Sequence, residues 1–236
     1  LIIDDGSTDN TREMVEEMQD SRIRYIRLPQ NMGAAAARNE GVRFAKGEII
    51  AFHDSDDIWL SEKLEKQMSY WKEHPEFSMI YCAYLLHRDN LKFRTQPAER
   101  KELEGDILQY LLLRNFIGTP TMLLRKACFE DVGGFNVALH CLEDWEFAVR
   151  FAESYYIGYV DEVLVKAYYS PGGISSKKAE YYETKCYVIS KYQKYYVQYD
   201  VFTRAVSELL QQAAGVGVMD EVKEMLETFL MTTERV

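Results

Sequence analysis

The order of segments in the first sixty residues constrains this chain most. Leu1-Ile2-Ile3 has the β-branched character of a buried strand and runs into Asp4-Asp5-Gly6-Ser7-Thr8-Asp9. Gly6 permits a tight turn, and Thr8 or Asp9 can cap a helix through Thr11 to Met18. Arg22 to Leu28 alternates as a second strand, and Pro29 to Gly33 is a loop. Ala34 to Ala45 is Ala-rich and helical, Gly47 stops it, and Glu48 to Phe52 forms a third strand. This β-α-β-α-β order predicts a parallel sheet with crossover helices, in which ligands sit beyond the carboxyl ends of the strands. Asp4-Asp5 and Asp54-Ser55-Asp56 both fall at such ends, so the two acidic clusters are expected to meet in one crevice.

The second cluster, Asp54-Ser55-Asp56-Asp57, sets three carboxylates within four residues. Charges this close repel, and each raises its neighbour's pKa unless a cation lies between them. Mg²⁺ or Mn²⁺ answers that need, because these ions favour carboxylates together with the oxygens of a bound phosphate. Asp54-x-Asp56 lets two carboxylates converge on one ion. A solvated acidic turn has the same spelling, so the motif needs support from the rest of the chain.

Downstream, Leu60 to Glu73 reads as a helix ended by His74-Pro75, and Phe77 to Leu86 as a strand with Leu91 to Arg94 as its edge partner. Glu102 to Leu113 is helical, and Gly118 to Leu124 is a strand entered through a turn. A short helix at Lys126 to Val132, a loop at Gly133 to Asn136 and a helix from Leu142 to about Glu153 follow. Two strands, Ile157 to Asp161 and Val163 to Tyr168, precede a Gly- and Ser-rich stretch. From Lys178 the pattern is all helical: Ala179 to Tyr196, Val201 to Ala214 and Met219 to Thr232. The tyrosines there are expected to pack helices together and to keep their hydroxyls in water.

The 236 residues suffice for one large domain with a helical appendage, and the net charge of −10 argues against a general nucleic-acid binder. Cys82, Cys128, Cys141 and Cys186 lack metal-ligand spacing and read as buried thiols in a reducing compartment. No apolar run approaches the ~20 residues that span a bilayer, and no signal peptide is visible. Together these place the expected site of action in the cytoplasm, at or near the inner face of the membrane. The chain opens without Met, directly in a strand, and so reads as a fragment.

The segments Ile3 to Asp9, Asn31-Met32-Gly33 with Ala37-Arg38-Asn39-Glu40-Gly41, Asp54 to Asp57, Gly133-Gly134-Phe135-Asn136 and Glu143-Asp144-Trp145 occur in one order. In that order and spacing the chain resembles the inverting glycosyltransferases of family 2. The resemblance covers residues 1–176. It implies an α/β GT-A fold, a Rossmann-like three-layer sandwich of nucleotide-diphospho-sugar transferases, with residues 177–236 as a helical C-terminal extension. It implies transfer of a sugar from a nucleotide-diphosphate sugar, a UDP-sugar above all, to a saccharide, lipid-linked or other hydroxyl acceptor in cell-surface polysaccharide synthesis. Asp4 and Asp5 would contact the base or ribose, Arg38 would lie near the nucleotide, and Asp54 would hold the ribose or a metal-bound water. Asp56 would ligate Mn²⁺ or Mg²⁺. Asp144 would be the general base with Glu143 beside it, the helix dipole lowering its pKa. Gly133, Gly134 and Phe135 would border the donor sugar and acceptor, and the loop at Gly172 to Ser176 would fold over the donor.

The chemistry suits those roles: the diphosphate leaving group needs neutralising, and a base must take the acceptor's proton as one displacement inverts the anomeric centre. The chain departs from the family pattern ahead of Leu1, where an additional strand and helix are expected; without them a strand edge is exposed and a homo-oligomer or another chain can fill the gap. The tryptophan motif of processive synthases is missing, which favours transfer of single sugars, and His53 reads as structural. The alternative is a degenerate transferase that binds nucleotide without catalysis. A receiver domain lacks its Lys here and a nucleotidyltransferase its Gly-rich phosphate loop.

Overall fold

The computed structural model describes residues 1–88, 91–95, 103–169 and 178–233. The expected opening is present as β1 (Ile2–Asp4), α1 (Thr11–Glu17), β2 (Tyr25–Arg27), α2 (Ala34–Phe44) and β3 (Ile49–Ala51). Then come β4 (Ile58–Trp59), α3 (Lys63–Glu73), β5 (Met79–Arg88), β6 (Leu91–Thr95), α4 (Leu108–Leu113), β7 (Leu123–Arg125), α5 (Lys126–Asp131), α6 (Glu143–Ala152) and β8 (Ile157–Tyr168). Four helices close the chain: α7 (Lys178–Lys191), α8 (Gln193–Gln198), α9 (Phe202–Gly215) and α10 (Met219–Thr233).

β1 and β2 pair in parallel, with Ile3 opposite Ile26. The expectation of one parallel sheet through β3 is corrected here. β3 lies antiparallel to β7 in a second, mixed sheet of order β3-β7-β5-β8-β4, with β6 on β5. Pairing needs strands about 4.8 Å apart. A groove of about 900 Å³, lined by Ile2, Ile3, Val42 and Ile49 among others, separates β1 from β3. The two strands predicted across residues 157–168 are one. Cys82 pairs with Val160 and Ala83 with Val163, so exposed Asp161 and Glu162 form an irregularity inside β8. Thr119–Thr121 is a 3₁₀ turn ahead of β7, because Pro120 cannot donate to a ladder.

The period of two in β5 explains the layers. Met79, Tyr81 and Ala83 point into the main apolar cluster, while Ile80 and Cys82 enter a smaller one with Trp71 of α3 and Phe77. A sheet apolar on both faces needs cover on both, which yields three layers. The main cluster also holds Phe147 and Phe151 of α6, Cys186 and Ile189 of α7, Leu209 of α9 and Leu226 of α10. Segments 1–176 and 177–236 therefore share one core. All four cysteines are buried and free, as the sequence led us to expect. No helix among the described residues is long and apolar enough to cross a membrane.

One polar cluster ties the terminal helices to α6. Glu146 is fully buried, bonded to Arg150 at 2.8 Å, Lys191 Nζ at 2.7 Å and the Tyr192 hydroxyl at 2.9 Å. Burial alone would raise its pKa, but Arg150 and Lys191 outweigh that and hold it below the ordinary carboxylate range. Tyr196 donates to the Leu112 carbonyl at 2.6 Å. These tyrosines do pack the helices, but Tyr192 and Tyr196 are buried and keep protein partners rather than water, because a buried hydroxyl left unpaired is costly.

Glu146→Gln leaves two cations facing a neutral amide, and should cost about 3 kcal/mol in urea denaturation at neutral pH. A carboxylate with a depressed folded pKa contributes stability above the ordinary carboxylate range and loses it as pH falls through the folded value. The gap between native and variant should therefore close in acid.

Candidate active site

The turn after β1 is built by its own carboxylates. Asp4 is buried, accepting from Ser7 N at 2.7 Å and from the Tyr25 hydroxyl. Burial would raise its pKa, but these hydrogen bonds prevail and hold it low. Asp5 accepts from Met32 N and Gly33 N, both at 2.7 Å. Gly6 has φ +79°, and a Cβ there would stand 2.9 Å from Asn31 N, so only glycine lets the two loops close. Both aspartates, expected at the nucleotide, are thus engaged in fixing the turn and the loop that starts α2.

From α2, Arg38 reaches across the site. Its guanidinium meets Asp54 Oδ1 at 2.7 Å and Glu143 Oε1 at 2.6 Å. Burial opposes its charge, but the two carboxylates outweigh that and raise its pKa. Its neighbour Asn39 clamps the Gly-Gly-Phe loop, donating to the Phe135 carbonyl at 2.8 Å and accepting from Phe135 N at 2.9 Å. Gly134 has φ +68°, and a Cβ there would lie 2.8 Å from Asn39 Oδ1. Arg150 braces the loop from below through the Gly134 carbonyl at 2.7 Å. Phe135, expected to border substrate, is buried with Phe52, Phe129 and Phe147, its ring 5.7 Å from the Arg38 guanidinium carbon. Its side chain supports the site from within.

Beyond β3 the chain turns at Asp54 to Asp57, with Asp57 N donating to the Asp54 carbonyl at 3.2 Å. Asp57, to which the sequence attached no role, accepts from Tyr168 N at 3.1 Å. Burial, with Asp54 and Asp56 close by, pushes it up to about 6. Asp56 is exposed. His53 stacks on Trp59 at 4.5 Å, in keeping with a structural role. Among the described residues no three His, Cys, Asp or Glu side chains form a metal cage. What the acidic turn offers is a partial set, open to an ion that brings phosphate oxygens of its own.

The helix α6 supplies the other wall. Its cap residue, Leu142, is left-handed at φ 55°, a conformation that costs roughly 1–2 kcal/mol outside glycine. Such strain gathers at functional sites. Glu143 is buried against Arg38. Asp144 lies in the first turn, where Oδ1 accepts from Trp145 N at 2.7 Å and Asn115 Nδ2 at 3.1 Å. The expectation that the helix dipole lowers its pKa is corrected. Burial, then Glu143, overcome Arg38 and the local hydrogen bond and push Asp144 up to about 7.

Arg38, Asp54 and the adjacent pair Glu143 and Asp144 therefore come together from three separate segments. Asp56 lies on the same acidic turn. Asp4, Asp5, Gly134 and Phe135 take part in the frame around the site, and Gly133 precedes Gly134 in its loop with φ +85°. The loop at Gly172 to Ser176 lies outside the described residues. Asn115 and Asp57 escaped sequence reasoning: Asp57 was in view within the acidic run, but nothing local marks Asn115, whose partner is 29 residues away.

The sequence model of glycosyl transferase family 2 matches residues 1–131. An uncharacterized glycosyltransferase of Haemophilus influenzae is 32% identical over 157 residues, 65% of this chain and 51% of that protein. The Escherichia coli UDP-Glc:α-D-GlcNAc-diphosphoundecaprenol β-1,3-glucosyltransferase WfgD is 44% identical over 90 residues, 38% of this chain and 35% of that protein. The chain thus spans about half or less of these relatives. In fold it is similar to Staphylococcus aureus TarS 1-349, solved with UDP-GlcNAc, at TM-score 0.63 and 18% identity over 99% of this chain and 80% of the other. It is likewise similar to the Pyrobaculum calidifontis mannosyltransferase PcManGT, solved with GDP-Man and Mn²⁺, at TM-score 0.61 and 14% identity over 98% and 75%. These likenesses give the α/β sandwich its fold, GT-A, and a sequence match that spans more than half of the chain gives it its family: the chain belongs to glycosyl transferase family 2.

Proposed function

We propose that the protein moves a sugar from a nucleotide-diphosphate sugar, most simply a UDP-sugar, to an acceptor hydroxyl with inversion, Asp144 serving as base. The observation that carries this reading is the Asp54–Arg38–Glu143 bridge. It ties the acidic turn to the start of α6 and leaves Asp144 beside the bridge with its pKa near neutrality. A base works best when its pKa lies near the working pH, so raising Asp144 improves it.

In this reading the acceptor O–H gives its proton to Asp144 as its oxygen bonds the anomeric carbon. The bond from that carbon to the diphosphate oxygen breaks, and the nucleotide diphosphate leaves with the electron pair. Arg38 orients Asp54 and pairs with Glu143, which leaves Asp144 as the carboxylate to take the proton. Asp56, with Asp54, would hold Mn²⁺ or Mg²⁺ against the phosphates, and the ion would supply charge neutralisation at the leaving group. The turn around Asp5 and Gly6 shapes the floor under the base and ribose.

The relatives support the substrate classes. WfgD is named for a UDP-Glc donor and a GlcNAc-diphosphoundecaprenol acceptor, and a Bacillus subtilis relative, TuaG, for teichuronic acid biosynthesis. A lipid-linked saccharide acceptor would place the work at the cytoplasmic face of the membrane, through peripheral contact, in cell-surface polysaccharide synthesis.

Asp144→Asn should keep donor binding while turnover falls by about 10²–10⁴-fold. Because a carboxylate with a raised folded pKa destabilises the fold once ionised, the melting temperature of this variant at pH 8 should not drop. Near-native transfer by Asp144→Asn with loss in Glu143→Gln would reassign the base. In the native enzyme kcat/KM should fall about tenfold per pH unit below about 7, where Asp144 becomes protonated. For the metal, calorimetry of UDP with Mn²⁺ and with EDTA should show tighter binding with the ion, a difference that Asp56→Ala abolishes. Equal affinity in all four arms would remove the metal from the scheme.

A further inference from the structure

A second cavity meets the site from the side of the C-terminal helices. It holds about 770 Å³ between the end of α4, the start of α6, and the helices α7 and α9. Leu113, Leu142 and Tyr181 give it apolar walls, and Asn115, Gln211 and Gln212 give it amide edges. Its inner end is one hydrogen bond from Asp144, because Asn115, which lines it, donates to Asp144 Oδ1 at 3.1 Å. Leu142 and Trp145, which flank the Glu143-Asp144 pair, line it too. Asp144 is thus joined to this cavity through Asn115, and its neighbour Glu143 is joined to Arg38 and Asp54 through the bridge.

We propose that this cavity, half of it built by α7 and α9, holds the saccharide of the acceptor and presents its hydroxyl to Asp144. The inference rests on the reading of Asp144 as the base. A sugar has apolar C–H faces and a rim of hydroxyls, and needs a flat apolar wall together with amides that both donate and accept. Tyr181 is half-buried and supplies the wall, its ring fixed edge-on against Tyr182 at 5.3 Å. Lys185 is held in place by Gln212 Oε1 at 2.8 Å and lies 5.0 Å from the Tyr181 ring. Burial lowers the pKa of this lysine, as its position in the cavity wall requires. Arg114 at the rim is exposed and forms no ion pair among the described residues, so it is available to a polar acceptor. A donor needs no such cleft, because its phosphates belong at the acidic turn.

The test is direct binding of methyl α-glycosides of N-acetylglucosamine, N-acetylgalactosamine, glucose and galactose, followed by saturation-transfer NMR on the whole chain. At least one glycoside should bind. Tyr181→Ala and Gln211→Ala should weaken that binding by roughly tenfold or more, and Tyr181→Phe should restore it. Tyr156→Ala, which removes an exposed ring elsewhere, should leave it unchanged. In transfer assays the cavity variants should raise the acceptor KM with little effect on kcat. Asp144→Asn should show the opposite split and bind glycoside normally, so a wrong base and a wrong acceptor cavity give different results. Glycoside binding indifferent to Tyr181→Ala and Gln211→Ala, or no glycoside binding at all, would overturn the proposal.

Discussion

The site depends on one guanidinium. Arg38 reaches from α2 to Asp54 after β3 and Glu143 at the start of α6, and so binds three elements far apart in sequence. Without it, two carboxylates would be left partly buried with no counter-charge, an arrangement that neutralises itself by taking up protons. With it, Glu143 has a counter-charge in place, while burial and then the nearby Glu143 carboxylate still keep the pKa of Asp144 raised. The bidentate reach of arginine matters here, since a lysine at this position could meet one carboxylate well but hardly both.

Around that cation the structure adds a frame of residues that hold the loops in place. Asp5 spends both carboxylate oxygens on the backbone of Met32 and Gly33, fixing the loop from which α2 and Arg38 depart. Asn39 pins the Gly-Gly-Phe loop, and Arg150 pins the same loop from α6. Arg150 is in turn paired to Glu146, which also holds Lys191 and Tyr192 from the terminal helices. A continuous polar chain thus runs from the core of the helical extension to the loop beneath Arg38.

Most of the architecture was legible because it rests on local pattern. Runs such as Leu1 to Ile3 and Glu48 to Phe52 announce strands, the Ala-rich run announces α2, and the motif order announces the family. Pairing was less legible. β3 has the apolar run of a parallel interior strand, yet it pairs antiparallel with β7, a choice set by a segment more than seventy residues away. The roles within motifs were the hardest to read. Asp5 and Asp54 look alike in sequence as strand-end acids, but one meets backbone amides and the other a guanidinium. The pKa of Asp144 was misjudged for the same reason: the dipole of α6 is visible in sequence, whereas its burial and the proximity of Glu143's uncompensated share of charge emerge only when the chain is folded.

The terminal helices change what the α/β layer can do. On the proposed reading the acidic turn and the bridged arginine hold a nucleotide diphosphate, but a transferase must also exclude water and deliver one hydroxyl to the base. The start of α6 is where these demands converge, since its left-handed Leu142 turns the chain so that Glu143 faces Arg38 while Leu142 and Trp145 face the second cavity. Removing α7 and α9 would open one side of that cavity and expose the apolar cluster they share with α6. On the proposed reading, stability and acceptor selection are then carried by the same helices. This explains why a segment outside the matched residues 1–131 is so closely joined to the core. On the proposed reading, variation in those helices would alter the acceptor while the acidic turn, Arg38 and Asp144 stay as they are.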